Sequence, residues 1–188
     1  MSMLLAGLLI WISVHLFPSV APAAKQRLVA KLGSNEYQGI FALCIIVGLL
    51  LIIFGWRSTV PMHLYSPPEQ LRHPAMLLVV IGLVLIVAAN FPTRLKKFIR
   101  HPQLTGVLLW AVAHLLLNGD SRSVIVFGSL ACWCLVSMFT INRRDGAWVK
   151  PSTTHSRSRE IVMVIVGLVL AAIAMRFHDY LSGVPLTG

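Results

Sequence analysis

Apolar residues fall into six runs separated by short polar stretches: roughly 3–20, 38–56, 74–91, 102–117, 122–141 and 161–177. Each approaches the ~20 residues that carry an α-helix across a bilayer. Transmembrane strands would instead alternate apolar and polar positions over ~10 residues. In lipid the backbone must bond within its own segment, so runs of this kind are helices. The pattern predicts an all-α, polytopic integral membrane protein: a bundle of about six transmembrane helices forming one domain over 1–188. The fourth run departs most from a plain apolar span, because it holds His114 and ends in Asn118-Gly119-Asp120.

Composition narrows the class. Hydrophobic residues make up 57% of the 188 and charged residues 12%, where soluble domains average about a quarter charged. So few charges cannot cover a water-facing surface. A soluble enzyme is excluded, and so is a soluble nucleic-acid binder with a solvated basic face, despite the net charge of +10. The expected partner is the lipid bilayer. Sorted by loop, twelve Lys and Arg follow runs one, three and five, and four lie on the opposite side. Loops rich in Lys and Arg stay cytoplasmic, so both termini are expected on the non-cytoplasmic side. Omitting the fourth run would spoil this asymmetry. Ala21-Pro22-Ala23 resembles a signal-peptide cleavage site, but no Lys or Arg precedes Lys25. Without a charged leading region the first run is expected to remain as a span.

The polar residues inside the runs carry the candidate chemistry, because polar groups in lipid are costly and mark function. Cys44, Cys132 and Cys134 read as small apolar filler. Cys132 and Cys134 are two apart and point to different helix faces, so they cannot share a metal. His15 and His114 stand out. Each lies about 12 residues into its run, about 18 Å along a helix, near mid-membrane. Trp11, His15 and Ser19 recur at i, i+4, i+8, and Gly106, Trp110, His114 and Asn118 repeat that spacing. Residues four apart share a helix face. Each histidine therefore has a tryptophan one turn before it and a hydrogen-bonding residue one turn after. Imidazole is the common metal ligand. Two histidines at matched depth suit a haem iron and are too few for a structural zinc site. A histidine bonded to a backbone carbonyl or a partner helix would account for the same residues structurally.

Run three serves as a comparison. Arg72-His73-Pro74 and Arg100-His101-Pro102 open runs three and four at an offset of 28, and Asn90 and Asn118 close them. In that register Ile86 and Gly82 stand opposite His114 and Trp110, so the Trp–His pair is specific to run four. Arg100 and His101 flank a helix start that could hold an anionic group or simply anchor topology. His63, His155 and His178 are expected to have no site role.

The stretch 100–115, with RHPQ-x-x-G-x-x-x-W-x-x-A-H, followed by Asn118-Gly119-Asp120, resembles the NnrU family of small bacterial membrane proteins. His15 and His73-Pro74 fit the same pattern, and the resemblance runs over essentially the whole chain. It implies an inner-membrane protein linked to nitric-oxide and nitrite metabolism in denitrification. It also implies kinship with the zeta-carotene cis–trans isomerase, whose haem b ligands match His15 and His114. That enzyme's span-four cysteine corresponds to Ala111 here, so the resemblance implies bis-histidine haem binding without that thiolate. Trp11 and Trp110 would pack near the porphyrin, Ser19 and Asn118 would support the ligands, and Gly106 would leave room. The expected activity is a haem-dependent isomerase acting on an apolar small molecule, or a redox or nitric-oxide-linked protein without bond chemistry of its own. The Arg100-His101-Pro102…Gly106 element is also similar to membrane methyltransferases of the isoprenylcysteine and thiol type, where it helps bind S-adenosylmethionine. Those carry paired acidic residues further on, and this chain has a lone Glu160.

Overall fold

The computed structural model describes residues 1–152 and 156–183, which leaves His155 outside the described residues. Among them there are eight α-helices: α1 Ser2–Val20, α2 Pro22–Leu32, α3 Ser34–Ser58, α4 Arg72–Asn90, α5 Pro102–Leu117, α6 Ser121–Asp145, α7 Arg157–Arg176 and α8 His178–Ser182. Five segments are long and apolar enough to cross a membrane: α1, α3, the stretch Glu69–Asn90, α6 and α7. The all-α polytopic architecture is as the hydropathy pattern predicts. The fourth run forms a shorter apolar helix, α5, of 16 residues. At 1.5 Å per residue it is about 24 Å long, less than the ~30 Å hydrocarbon core. The basic stretch after α1, a loop by its charge pattern, is helical. Pro22 occupies the first turn of α2, where its missing N–H is harmless, and α2 buries none of its residues.

The chain forms two compact units, each assembled from two separated stretches. Unit 1 comprises 1–67 and 118–146, and unit 2 comprises 68–117 and 147–188. In unit 1, α1 packs along α3, and α6 packs on α1. A Cβ on Gly7 would stand 2.7 Å from the Gly48 carbonyl oxygen, and one on Gly48 would stand 3.2 Å from the Trp11 backbone nitrogen. Only glycine lets two helix backbones meet this closely, and in lipid such small-residue contacts carry much of the association. In unit 2, α4 packs along α5, and α7 on α4. Here a Cβ on Gly82 would stand 2.7 Å from the Gly106 carbonyl oxygen and 3.3 Å from the Trp110 nitrogen.

The units are fastened at different points. In unit 1 the Asp120 side chain caps α6, accepting from the backbone N–H groups of Arg122 and Ser123. Arg122 lies over the Trp56 ring, 4.5 Å from its centre, and donates to the Trp56 carbonyl. Burial acts to raise the Asp120 carboxyl, but the Ser123 hydroxyl, two backbone N–H groups and Arg122 together hold it below its ordinary value. In unit 2 the α4–α5 connection is tied to α7 through Glu160. It accepts from the Thr93 hydroxyl at 2.6 Å and from the Arg94 N–H at 2.7 Å. Glu160 therefore serves this junction.

Candidate functional site

His15 and His114 sit in the same local device, one in each unit. In α1 the spacing is Gly7, Trp11, His15, and in α5 it is Gly106, Trp110, His114. In each the glycine marks the helix crossing, the tryptophan backbone lies beside the partner glycine, and the histidine follows one turn on. His15 Nδ1 lies 2.8 Å from the Trp11 carbonyl oxygen, and His114 Nδ1 lies 2.8 Å from that of Trp110. A carbonyl only accepts, so the proton sits on Nδ1 and the lone pair on Nε2. A helical carbonyl four residues back is always present, and a histidine turned toward it keeps its other nitrogen pointed away from its own helix. Each ring also lies against the tryptophan one turn before, with centroids 3.9 Å apart in the first pair and 4.7 Å in the second.

The surroundings differ. His15 is enclosed by aromatic rings: Trp133 of α6 at 5.5 Å and Phe41 of α3 at 5.8 Å, both edge-on. Trp133 also meets Trp11 edge-on at 4.8 Å. Trp133 is 9% exposed, and its buried Nε1 has no hydrogen-bond acceptor among the described residues. His114 is flanked by the fully buried Ala111 and Ala113. Its ring faces that of His178 in α8, with centroids 6.4 Å apart. Ala111 thus stands in the wall beside His114 and leaves no thiol there.

The two anticipated supporting residues, Ser19 and Asn118, make the following contacts. Ser19 donates to the Leu16 carbonyl at 2.9 Å and accepts from Thr140 of α6 at 3.0 Å, so it fastens α1 to α6. The i+4 face does not reach Asn118, because α5 ends at Leu117. The Asn118 carbonyl accepts from the Tyr65 hydroxyl, and the Gly119 carbonyl accepts from the N–H groups of Leu64 and Tyr65. These bonds draw 118–119 away from the helix and into unit 1. The Nδ1 of each histidine bonds to the backbone carbonyl of the turn before it. Arg100 and His101 lie just before the first residue of α5, in unit 2.

Sequence reasoning missed Gly7, Gly48, Phe41 and Trp133, which lie at the helix crossing or against the His15 ring, and the ring contact of His178 with His114. Gly7 was visible: it stands eight residues before His15, as Gly106 stands eight before His114. The others arrive from elements distant in sequence and leave no local signal. Cys132 is exposed, Cys134 is buried and Cys44 is half-buried, and all three are free thiols. No group of three or more His, Cys, Asp or Glu side chains is gathered for a metal among the described residues.

The family model described as NnrU protein matches residues 3–186. The chain belongs to the NnrU family. No curated protein and no solved structure matches it. For this NnrU-family chain the match takes in both units and both Gly–Trp–His segments.

Proposed function

We propose that this NnrU-type membrane protein binds one haem b, and that His15 and His114 are the residues that would hold its iron. The observation that carries the reading is the Nδ1–carbonyl contact at 2.8 Å, made identically by both histidines. Metal-bound histidines characteristically give their other N–H to a carbonyl or carboxylate, which fixes the tautomer and raises ligand basicity. Neutral imidazoles with Nε2 available are what a bis-histidine haem requires. The donor set fits in two further ways. Flat apolar rings and small alanines border the imidazoles. The buried, unpaired Trp133 N–H beside His15 is costly in an apolar setting unless a bound group accepts it. Bound haem supplies an iron for one-electron transfer, nitric-oxide ligation or isomerisation of an apolar polyene. The chain's own residues hold the tautomer, orient the rings and exclude water. The charge pattern supports an inner-membrane orientation with both termini periplasmic.

The test is an absorption spectrum of detergent-purified protein from haem-replete cells. The expected result is a Soret band in the wild type that is lost in both His15→Ala and His114→Ala. A colourless, iron-free preparation overturns the reading. Retention of S-adenosylmethionine that weakens in His101→Ala would turn the assignment toward a methyltransferase.

A further inference from the structure

The α2 helix joins the end of α1 to the start of α3 and buries none of its residues. Both neighbours are long and apolar enough to cross a membrane, so α2 stands at the membrane face where those two spans end. It continues neither of them. The chain leaves helical geometry at Ala21, with φ −127° and ψ 59°, and again at Gly33, whose φ of 97° favours glycine.

The side chains of α2 sort into stripes. Ala24, Leu28 and Leu32 recur at i, i+4, i+8 and share one face. Leu28 and Leu32 are each 40% exposed. Arg27 and Lys31, also four apart, form the adjoining stripe and are exposed, while Lys25 is half-buried. None of these three cations pairs with an acid among the described residues, where the ion pairs involve Asp120, Asp145 and Asp179. Residues 1–35 contain no acidic residue at all, and Glu36, in the first turn of α3, is the first along the chain. The end of α6 adds to the same face of unit 1. Arg144 donates to the Pro18 carbonyl at 3.3 Å, which brings α6 beside the end of α1. Arg144 is itself paired with Asp145, and its neighbour Arg143 is exposed.

We infer that α2 is an interfacial helix that binds anionic phospholipid, with Lys25, Arg27 and Lys31 on headgroup phosphates and Leu28 and Leu32 entering the acyl boundary. Exposed leucines beside unpaired cations on a short helix at a membrane face are the makings of such an anchor. Cations alone would suit any soluble acidic partner, but the leucines beside them call for an apolar layer, and the bilayer supplies both. The loop charges favour the cytoplasmic face for α2, the leaflet whose lipids carry negative charge. The inference uses neither histidine and stands apart from the haem reading.

Full-length protein in neutral detergent is titrated with short-chain phosphatidylglycerol and, separately, with phosphatidylcholine of the same chains, by calorimetry. Wild type should bind phosphatidylglycerol at least tenfold more tightly at low salt, and the preference should shrink several-fold at high salt. Each of Lys25→Gln, Arg27→Gln and Lys31→Gln should lower it about two- to fivefold, and the three together should leave at most about twofold. Leu28→Gln with Leu32→Gln should weaken both lipids by a similar factor and keep the preference. Lys150→Gln, Arg157→Gln and Arg159→Gln together remove the same charge from unit 2 and should also keep it. Apart from Lys25, the cations replaced are exposed, and variants are compared at size-exclusion profiles matching wild type. The inference is overturned if wild type shows no preference, if the α2 triple variant retains it, or if the unit 2 control loses it equally. Inorganic phosphate that displaces phosphatidylglycerol at equal concentration also overturns it, because α2 would then hold a free anion.

Discussion

Units 1 and 2 hold the same histidine device and surround it differently. In unit 1 the imidazole meets Trp133 and Phe41, and in unit 2 it meets His178. The crossing glycines, the tryptophan and the carbonyl hydrogen bond are common to both. The shared part is made by backbone and fixes which nitrogen carries the proton. The variable part comes from Phe41 of α3 and Trp133 of α6 in unit 1, and from His178 of α8 in unit 2. The units also differ in chain order: in unit 1 the Trp–His helix precedes its glycine partner, and in unit 2 it follows it.

The largest expected effect separates the two walls. Trp133→Ala removes a buried ring at a cost of about 3–5 kcal/mol and lowers the thermal transition in detergent. The His15 ring resonances should shift while those of His114 stay in place. Equal shifts of both would break the comparison. Trp133→Phe keeps one aromatic ring and deletes the unpaired N–H, so it should cost less than Trp133→Ala.

The shared crossing is tested by Gly48→Ala and Gly82→Ala. The new Cβ meets backbone atoms at 3.2 Å in Gly48→Ala and at 2.7 Å in Gly82→Ala, which cannot withdraw as a side chain tip would. Both should lose about 1–3 kcal/mol, read as matching drops in thermal transition. A loss at one position only would show that the two crossings do different work.

A smaller effect belongs to unit 1 alone. Asp120→Ala removes the α6 cap and should cost about 1 kcal/mol. Asp120 has its carboxyl lowered in the folded protein, so its stabilisation is full above the unfolded value of about 3.9 and is lost as pH falls through the lower folded value. Wild type should therefore lose stability in that acid window more steeply than Asp120→Ala, in parallel thermal melts across pH.

The smallest effect is a control. Gly39 in α3 and Gly128 in α6 have open space where a Cβ would go. Gly39→Ala and Gly128→Ala should be neutral or raise stability by up to about 1 kcal/mol. Destabilisation there would mean that contact at the crossings is not what distinguishes Gly48 and Gly82.

The spans were legible because hydropathy is set by composition over a window, and the helix ends fell within a few residues of the expected ones. The device was half legible. Trp–His spacing is local, so His15 and His114 could be paired by eye. The correspondence was sought between runs three and four through Arg-His-Pro, where the offset of 28 holds mainly at the helix ends. The repeated structure joins runs one and four, through Gly7 and Gly106. Ser19 bonds across to Thr140 of α6, and Asn118 lies one residue past the end of α5. Asn118 already belongs to the connection that bonds to residues 64 and 65. His178 could not be read at all, since its contact with His114 depends on α8 restarting after α7.

The interleaving of the two units sets an order of events during synthesis. The α1–α3 pair is complete by residue 58, but α6, which brings Trp133 to His15, begins only at Ser121. Residues 68–117 of the other unit must be made in between, which takes roughly 3–10 s at ~5–20 residues per second. During that interval His15 is already in the nascent chain without its Trp133 wall. Unit 1 therefore cannot acquire the Trp133 wall of its histidine until residues 68–117 of unit 2 have been made.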